Sequence, residues 1–125
     1  PMNNVIRMHA EALKDIETDK YVSMIKTSPK QLQAVLYAIL NSGKNNLYTG
    51  EIYESYRKLC DSTGFYCLSQ RAVSDITMEL DMYGFVICRT VSKGRYGRTK
   101  EITLGLSEKT KQEIINSILI SFNLK

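Results

Sequence analysis

The chain has 125 residues, 43% of them apolar and 24% charged, the balance of one soluble globular domain rather than of a disordered or low-complexity segment. No apolar run approaches the roughly 18 residues of a membrane span, and PMNNVIRMHAEALKD lacks the features of a signal peptide, so a cytoplasmic protein without a membrane partner is expected. The net charge is +4, yet residues 1–88 sum to −1, while residues 89–100 hold five Lys/Arg and no acid.

Residues 4–26 read as one long helix, with Val5, Met8, Ala12, Ile16, Tyr21, Met24 and Ile25 approximating an apolar stripe. Ser28-Pro29-Lys30-Gln31 reads as a capped start for a second helix, QLQAVLYAIL, with Leu32, Val35, Leu36 and Ile39 inward and Gly43 at its end. Thr49 is the expected cap of a third helix, with Ile52, Tyr53, Tyr56 and Leu59 on one side. A loop, Asp61–Cys67, leads to Ser69, the cap of a fourth helix that turns Val73, Ile76, Leu80 and Tyr83 to the core and stops at Gly84.

FVICRTV and TKEITLGL then read as two short strands, joined by SKGRYGR into a hairpin whose loop exceeds two residues. Ser107 caps a last helix carrying Ile114, Ile115, Ile118 and Leu119. The fold class is therefore mainly α with a small β-hairpin: a winged helix–turn–helix with an extra N-terminal helix and a C-terminal helix. The expected segments are 1–26, the N-terminal helix; 27–106, the winged helix; and 107–125, the C-terminal helix.

Catalytic chemistry finds no support. The sequence has no phosphate-binding loop, no dinucleotide fingerprint, no nucleophile elbow and no HExxH. Cys60, Cys67 and Cys88 match no zinc spacing, and the single histidine, His9, cannot complete a site, so three reduced thiols and no metal are expected.

The basic run RTVSKGRYGRTK, on an otherwise neutral body, is the electrostatic footprint of a polyanion. A solvated loop would also be charged, but it has no reason to keep an aromatic between two glycines. In a winged helix the fourth helix enters the major groove by its N-terminal residues. Here these are Ser69, Gln70, Arg71 and Ser74, with Thr77 and Met78 on the same outward side. Gln and Arg read base edges bidentately, and Ser69 at a helix start suits a phosphate, although alone it is an ordinary cap. Asp75 and Glu79 are expected to point sideways or to pair with basic residues.

In the wing, Lys93, Arg95, Arg98 and Lys100 supply charge, and Gly94 and Gly97 allow close backbone approach. Arg95 suits a narrow minor groove. Tyr96 suits a phosphate or sugar contact and equally a lid over the wing base.

TSPKQLQAVLYAIL, LYTGEIYESYRKLC, LSQRAVSDITMELDMYGFV and SKGRYGRTKEITL together resemble the C-terminal winged-helix domain of the archaeal origin recognition and cell-division-control replication initiators. The resemblance covers about residues 5–104 and is carried most specifically by TGEIYESY, SQRAVSDITMELDMYG and GRYGRT. It implies double-stranded DNA as partner, at replication origins, with Ser69, Gln70, Arg71 and Ser74 in the major groove. It places Lys93, Arg95, Tyr96, Arg98 and Lys100 on the wing, in the minor groove.

The resemblance further implies a parent ATPase whose module, with its ATP and magnesium, would precede this domain; no cofactor is expected in this chain. On that reading the chain is an excised, monomeric domain, non-enzymatic by itself, and a replicative helicase or other initiator copies are partners of the parent. One departure stands out. Relatives carry a second basic residue after the first, where this chain has Ala72. Two other classes stay open from the residues alone: a winged-helix transcription regulator, dimerising through EIINSILISF, and a protein-docking winged helix that binds no DNA.

Overall fold

The computed structural model describes residues 8, 16–92 and 98–122, without the side chain of Arg98. Five helices and three strands occur among the described residues: α1 (described over 16–26), α2 (Lys30–Asn41), β1 (Asn46–Tyr48), α3 (Thr49–Thr63), α4 (Gln70–Met82), β2 (Val86–Ser92), β3 (Arg98–Leu104) and α5 (Glu108–Ser121). The chain divides into two compact units, Pro1–Ser28 with Ser107–Lys125, and Pro29–Leu106.

In the first unit α1 does not follow the expected stripe. Met8 and Ile16 are exposed, Tyr21 and Met24 are half-buried, and the inward positions are Thr18 and Ile25; Val5 and Ala12 lie outside the described residues. Thr18 is buried because its hydroxyl is satisfied: Thr18 Oγ1 and Thr110 Oγ1 share a hydrogen bond of 2.7 Å. Ser107 caps α5 as expected, accepting from the Thr110 backbone N–H at 3.2 Å, and Ile114 and Ile118 are buried.

The second unit is the winged helix. Buried Leu32, Val35, Leu36 and Ile39 of α2 belong to one core with Ile52 and Tyr56 of α3, Val73 and Leu80 of α4, and Phe85, Val86, Ile102 and Leu104. Each such aliphatic side chain contributes about 1.5–3 kcal/mol by leaving water, more than any single cap. The core therefore holds the helices together, and the caps decide where they begin and end.

Two caps differ from the sequence reading. Ser28 does not start α2; its Oγ donates to the Met24 carbonyl at 2.7 Å, so it finishes α1. Pro29 is the N-cap, and Gln31 turns away to the α3–α4 loop. Thr49 is the first residue of α3 rather than its cap; Tyr48 holds that position, and its backbone N–H donates to the Glu51 carboxylate at 3.2 Å.

The sheet has the order β1-β3-β2, all antiparallel, with the wing formed by β2 and β3 in register Val86↔Leu104 through Ser92↔Arg98. β1 was not expected. Its three residues pair with β3 at Asn46↔Thr103, Leu47↔Ile102 and Tyr48↔Glu101, and Leu47 is buried.

α4 ends in a Schellman motif. Gly84 is left-handed at φ 88, its N–H donates to the Asp81 carbonyl at 3.0 Å, and the Phe85 N–H donates to the Leu80 carbonyl at 3.0 Å. Phe85 and Leu80 are both fully buried, the apolar contact that accompanies this motif. The turn leaves Tyr83 exposed, not in the core as expected, because it caps the helix end instead of continuing its inner face.

Candidate nucleic-acid interface

The start of α4 is fixed by side chains from two other helices. Residues 65–69 have no regular structure, so their backbone groups need partners elsewhere. Tyr56 is central to them: its hydroxyl donates to Gln31 Oε1 at 2.7 Å, accepts from the Leu68 N–H at 3.0 Å and lies 3.3 Å from the Tyr66 carbonyl. Gln31 Nε2 donates to that same carbonyl at 2.9 Å, and the Tyr53 hydroxyl donates to the Leu68 carbonyl at 3.1 Å. Burial pushes the Tyr56 phenol up to about 12, so it remains a donor throughout the physiological range.

The loop so held delivers Ser69, whose Oγ accepts from the Ala72 N–H at 3.2 Å. Ser69→Ala is expected to cost about 1 kcal/mol of stability, read as a lowered urea midpoint at unchanged m-value. An unchanged midpoint would show that the cap does not carry the helix start.

On the outer side of α4, Gln70 and Arg71 are exposed and Ser74 is half-buried. Thr77, expected outward, is buried, its Oγ1 donating to the Val73 carbonyl at 2.9 Å. A polar residue within a helix can satisfy itself in this way and so take a core position. Met78 is outward, and Lys100 Nζ sits 3.3 Å from its sulfur. Asp75 and Glu79 are exposed, and among the described residues no ion pair reaches them, so of the two expected arrangements the pairing with basic residues does not occur.

The register divides the wing stem into two faces. Val86, Cys88, Thr90 and Ser92 alternate onto one face with their partners Leu104, Ile102, Lys100 and Arg98. The inner end of that face is apolar and buried; its outer end is hydroxyl and cation. Arg89 lies on the opposite face and pairs with Glu101 at 2.8 Å. One of the five cations in the basic run is thereby spoken for. Lys93, Arg95 and Tyr96 fall outside the described residues; Arg98 is placed by its backbone alone.

Where helix and wing meet, an open hollow of about 290 Å³ is lined by Thr49, Ser74, Thr90, Thr99 and Lys100. It joins the first residue of α3, the recognition side of α4 and both wing strands. Ser74 and Lys100 were legible as candidates; Thr49, Thr90 and Thr99 were not. They are distant in sequence, and it takes the pairing of β3 with both β2 and β1, the strand that leads into α3, to bring them to one place. A lining of hydroxyl residues with one lysine suits an anion such as a phosphate group. Among the described residues no group of three or more His, Cys, Asp or Glu side chains is placed to hold a metal, and no helix is long and apolar enough to cross a membrane.

A family model described as the CDC6 C-terminal winged helix domain matches residues 23–113. The chain is 43% identical over 118 residues to the ORC1-type DNA replication protein 7 of Halobacterium salinarum, covering 91% of this chain and 23% of that protein. Among solved structures it is similar to the Aeropyrum pernix ORC1 protein in complex with DNA, at a TM-score of 0.73 and 34% identity, over 89% of this chain and 29% of that one. CDC6P from Pyrobaculum aerophilum shares the fold, with a TM-score of 0.64 and 18% identity over 81% of this chain and 26% of that one. The chain thus spans about a quarter of the length of the curated relatives it matches.

Proposed function

Since the chain belongs to the family of CDC6 C-terminal winged helix domains, we propose that it binds duplex DNA at replication origins as part of a DNA replication initiator. The observation that carries this reading is the hollow joining α4 to the wing, where Lys100 stands among Thr49, Ser74, Thr90 and Thr99 and offers a seat for a backbone phosphate. The similar Aeropyrum pernix ORC1 structure is a complex with DNA, which supports the same partner.

In this reading Gln70, Arg71 and Ser74 meet the major groove, and Ser69 with the first amides of α4 faces a phosphate. A phosphate seated in the hollow would touch both helix and wing. Lys93, Arg95, Tyr96 and Arg98 extend into the adjacent minor groove. The domain acts as a monomer. A replicative helicase, other initiator copies and an ATPase module belong to the proposal only for a longer parent chain. The residues present do not fit ATP and magnesium, since no phosphate-binding loop occurs among them.

Lys100→Ala tests the phosphate seat. It should weaken binding to origin-repeat and scrambled duplexes alike and lower the salt slope by about one, read by fluorescence anisotropy at several salt concentrations. Arg71→Ala separates base reading from clamping: a loss of about 1–3 kcal/mol confined to one base position marks a base reader. If neither variant changes affinity for any duplex, the DNA reading fails and a protein-docking winged helix takes its place.

A further inference from the structure

The end of α3 and the α3–α4 loop hold two thiols that DNA contact does not use. Cys60, on the last turns of α3, is buried, and Cys67, in the loop, is exposed; both are free thiols. The chain doubles back between them at Gly64, left-handed at φ 71, whose N–H donates to the Cys60 carbonyl at 2.9 Å. Cys60 Sγ then lies 3.9 Å from the Tyr66 carbonyl oxygen, and the carbon of that carbonyl is bonded to the Cys67 nitrogen. Covalent geometry therefore keeps the Cys60 sulfur within about 7 Å of the Cys67 Cα. Residues 65–69 carry no strand pairing and are held by side-chain hydrogen bonds at Tyr66 and Leu68, so an S–S bond requires a shift at Cys67, between those two anchored residues.

We propose that Cys60 and Cys67 form an oxidant-responsive dithiol, which a hydroperoxide closes into an intrachain disulfide across the α3–α4 loop. The exposed Cys67 thiolate attacks the terminal peroxide oxygen; the S–O bond forms, the O–O bond breaks, and an alcohol, or water from hydrogen peroxide, leaves. Cys60 then attacks the Cys67 sulfenic sulfur; the S–S bond forms, the S–O bond breaks, and the hydroxide departs as water with the Cys60 proton. Two thiols give up two electrons and two protons, and the hydroperoxide takes them. Cys60 is buried and its thiol is raised by that burial, so the oxidant meets the exposed Cys67 first. Closure clamps the loop that leads into the Ser69 cap. It stands independently of the DNA reading.

The test is a brief hydrogen peroxide pulse on the folded protein, followed by quenching, alkylation in denaturant and intact-mass and peptide analysis. One alkylated thiol should remain, at Cys88, and a Cys60–Cys67 peptide cross-link should appear that dithiothreitol removes. Cys88→Ser should still close. Cys60→Ser should stop at a Cys67 sulfenic acid captured by dimedone, and Cys67→Ser, at the exposed position, should give neither cross-link nor adduct. Three alkylatable thiols after the pulse, a cross-link between another pair or between two chains, or Cys67 driven to sulfinic acid without closure would each overturn the proposal.

Discussion

Tyr56→Phe should lower the stability of the domain by about 1–3 kcal/mol, although it removes a single oxygen and opens almost no cavity. The ring stays buried, so the apolar contribution is kept. What disappears is the acceptor of the Leu68 N–H and the donor to Gln31 Oε1. Polar groups left without partners in the interior cost more than the bond itself contributes. Urea unfolding gives the number, provided that wild type and variant share an m-value.

A pH series gives a second reading of the same oxygen. Burial raises the folded pKa from 10.0 to about 12, so the protonated phenol favours the folded state. The stability linked to it is complete below the unfolded value and fades as pH rises from about 10 towards 12. The phenylalanine variant should lack that alkaline loss. A variant as stable as the parent, with the same alkaline profile, would mean that Tyr56 does not organise the loop.

Raising salt from 50 to 200 mM should weaken DNA binding roughly a hundredfold, with a slope of log K against log salt near −3.6 if about four phosphates are neutralised. The count rests on the wing. Arg89 is occupied by Glu101, an exposed pair worth at most about 1 kcal/mol to stability, which still offsets its charge. Lys93, Arg95, Arg98 and Lys100 are left to meet phosphates. The body of the chain is near neutral and adds little. A slope near zero in an anisotropy titration would remove the polyanion partner from consideration. A slope near −6 would mean that α4 contributes several further phosphate contacts.

The helix starts that were legible are those in which a serine does what its chemistry favours. Ser69 and Ser107 both accept from the backbone N–H three residues on, as their sequences suggested. Ser28 misled because a serine hydroxyl can equally donate backwards to close the preceding helix, and local sequence does not say which end it serves. β1 was invisible for a different reason. Asn46-Leu47-Tyr48 is too short to show a period of two, and its strand character comes wholly from pairing with β3, over fifty residues away.

At the interface, the basic residues could be read from charge alone. The neutralisation of Arg89 could not, because it depends on a cross-strand neighbour that only the register reveals. The hydroxyl lining of the hollow was hidden likewise. Thr49, Thr90 and Thr99 are unremarkable threonines until α3, β2 and β3 bring them together.

The short β1 strand also sets how the wing responds to load. It pairs with β3 only at Glu101–Thr103, so the hairpin is rooted in three strands there, while Arg98–Lys100 have β2 as their only strand neighbour. A three-stranded root is stiff, and a two-stranded ribbon twists more readily. The stem is a cantilever whose compliance begins at Thr90 and Lys100, two of the five residues that line the hollow. A ribbon rooted in this way bends beyond Thr90 and Lys100 while its three-stranded base, where Leu47 is buried against the core, stays in place.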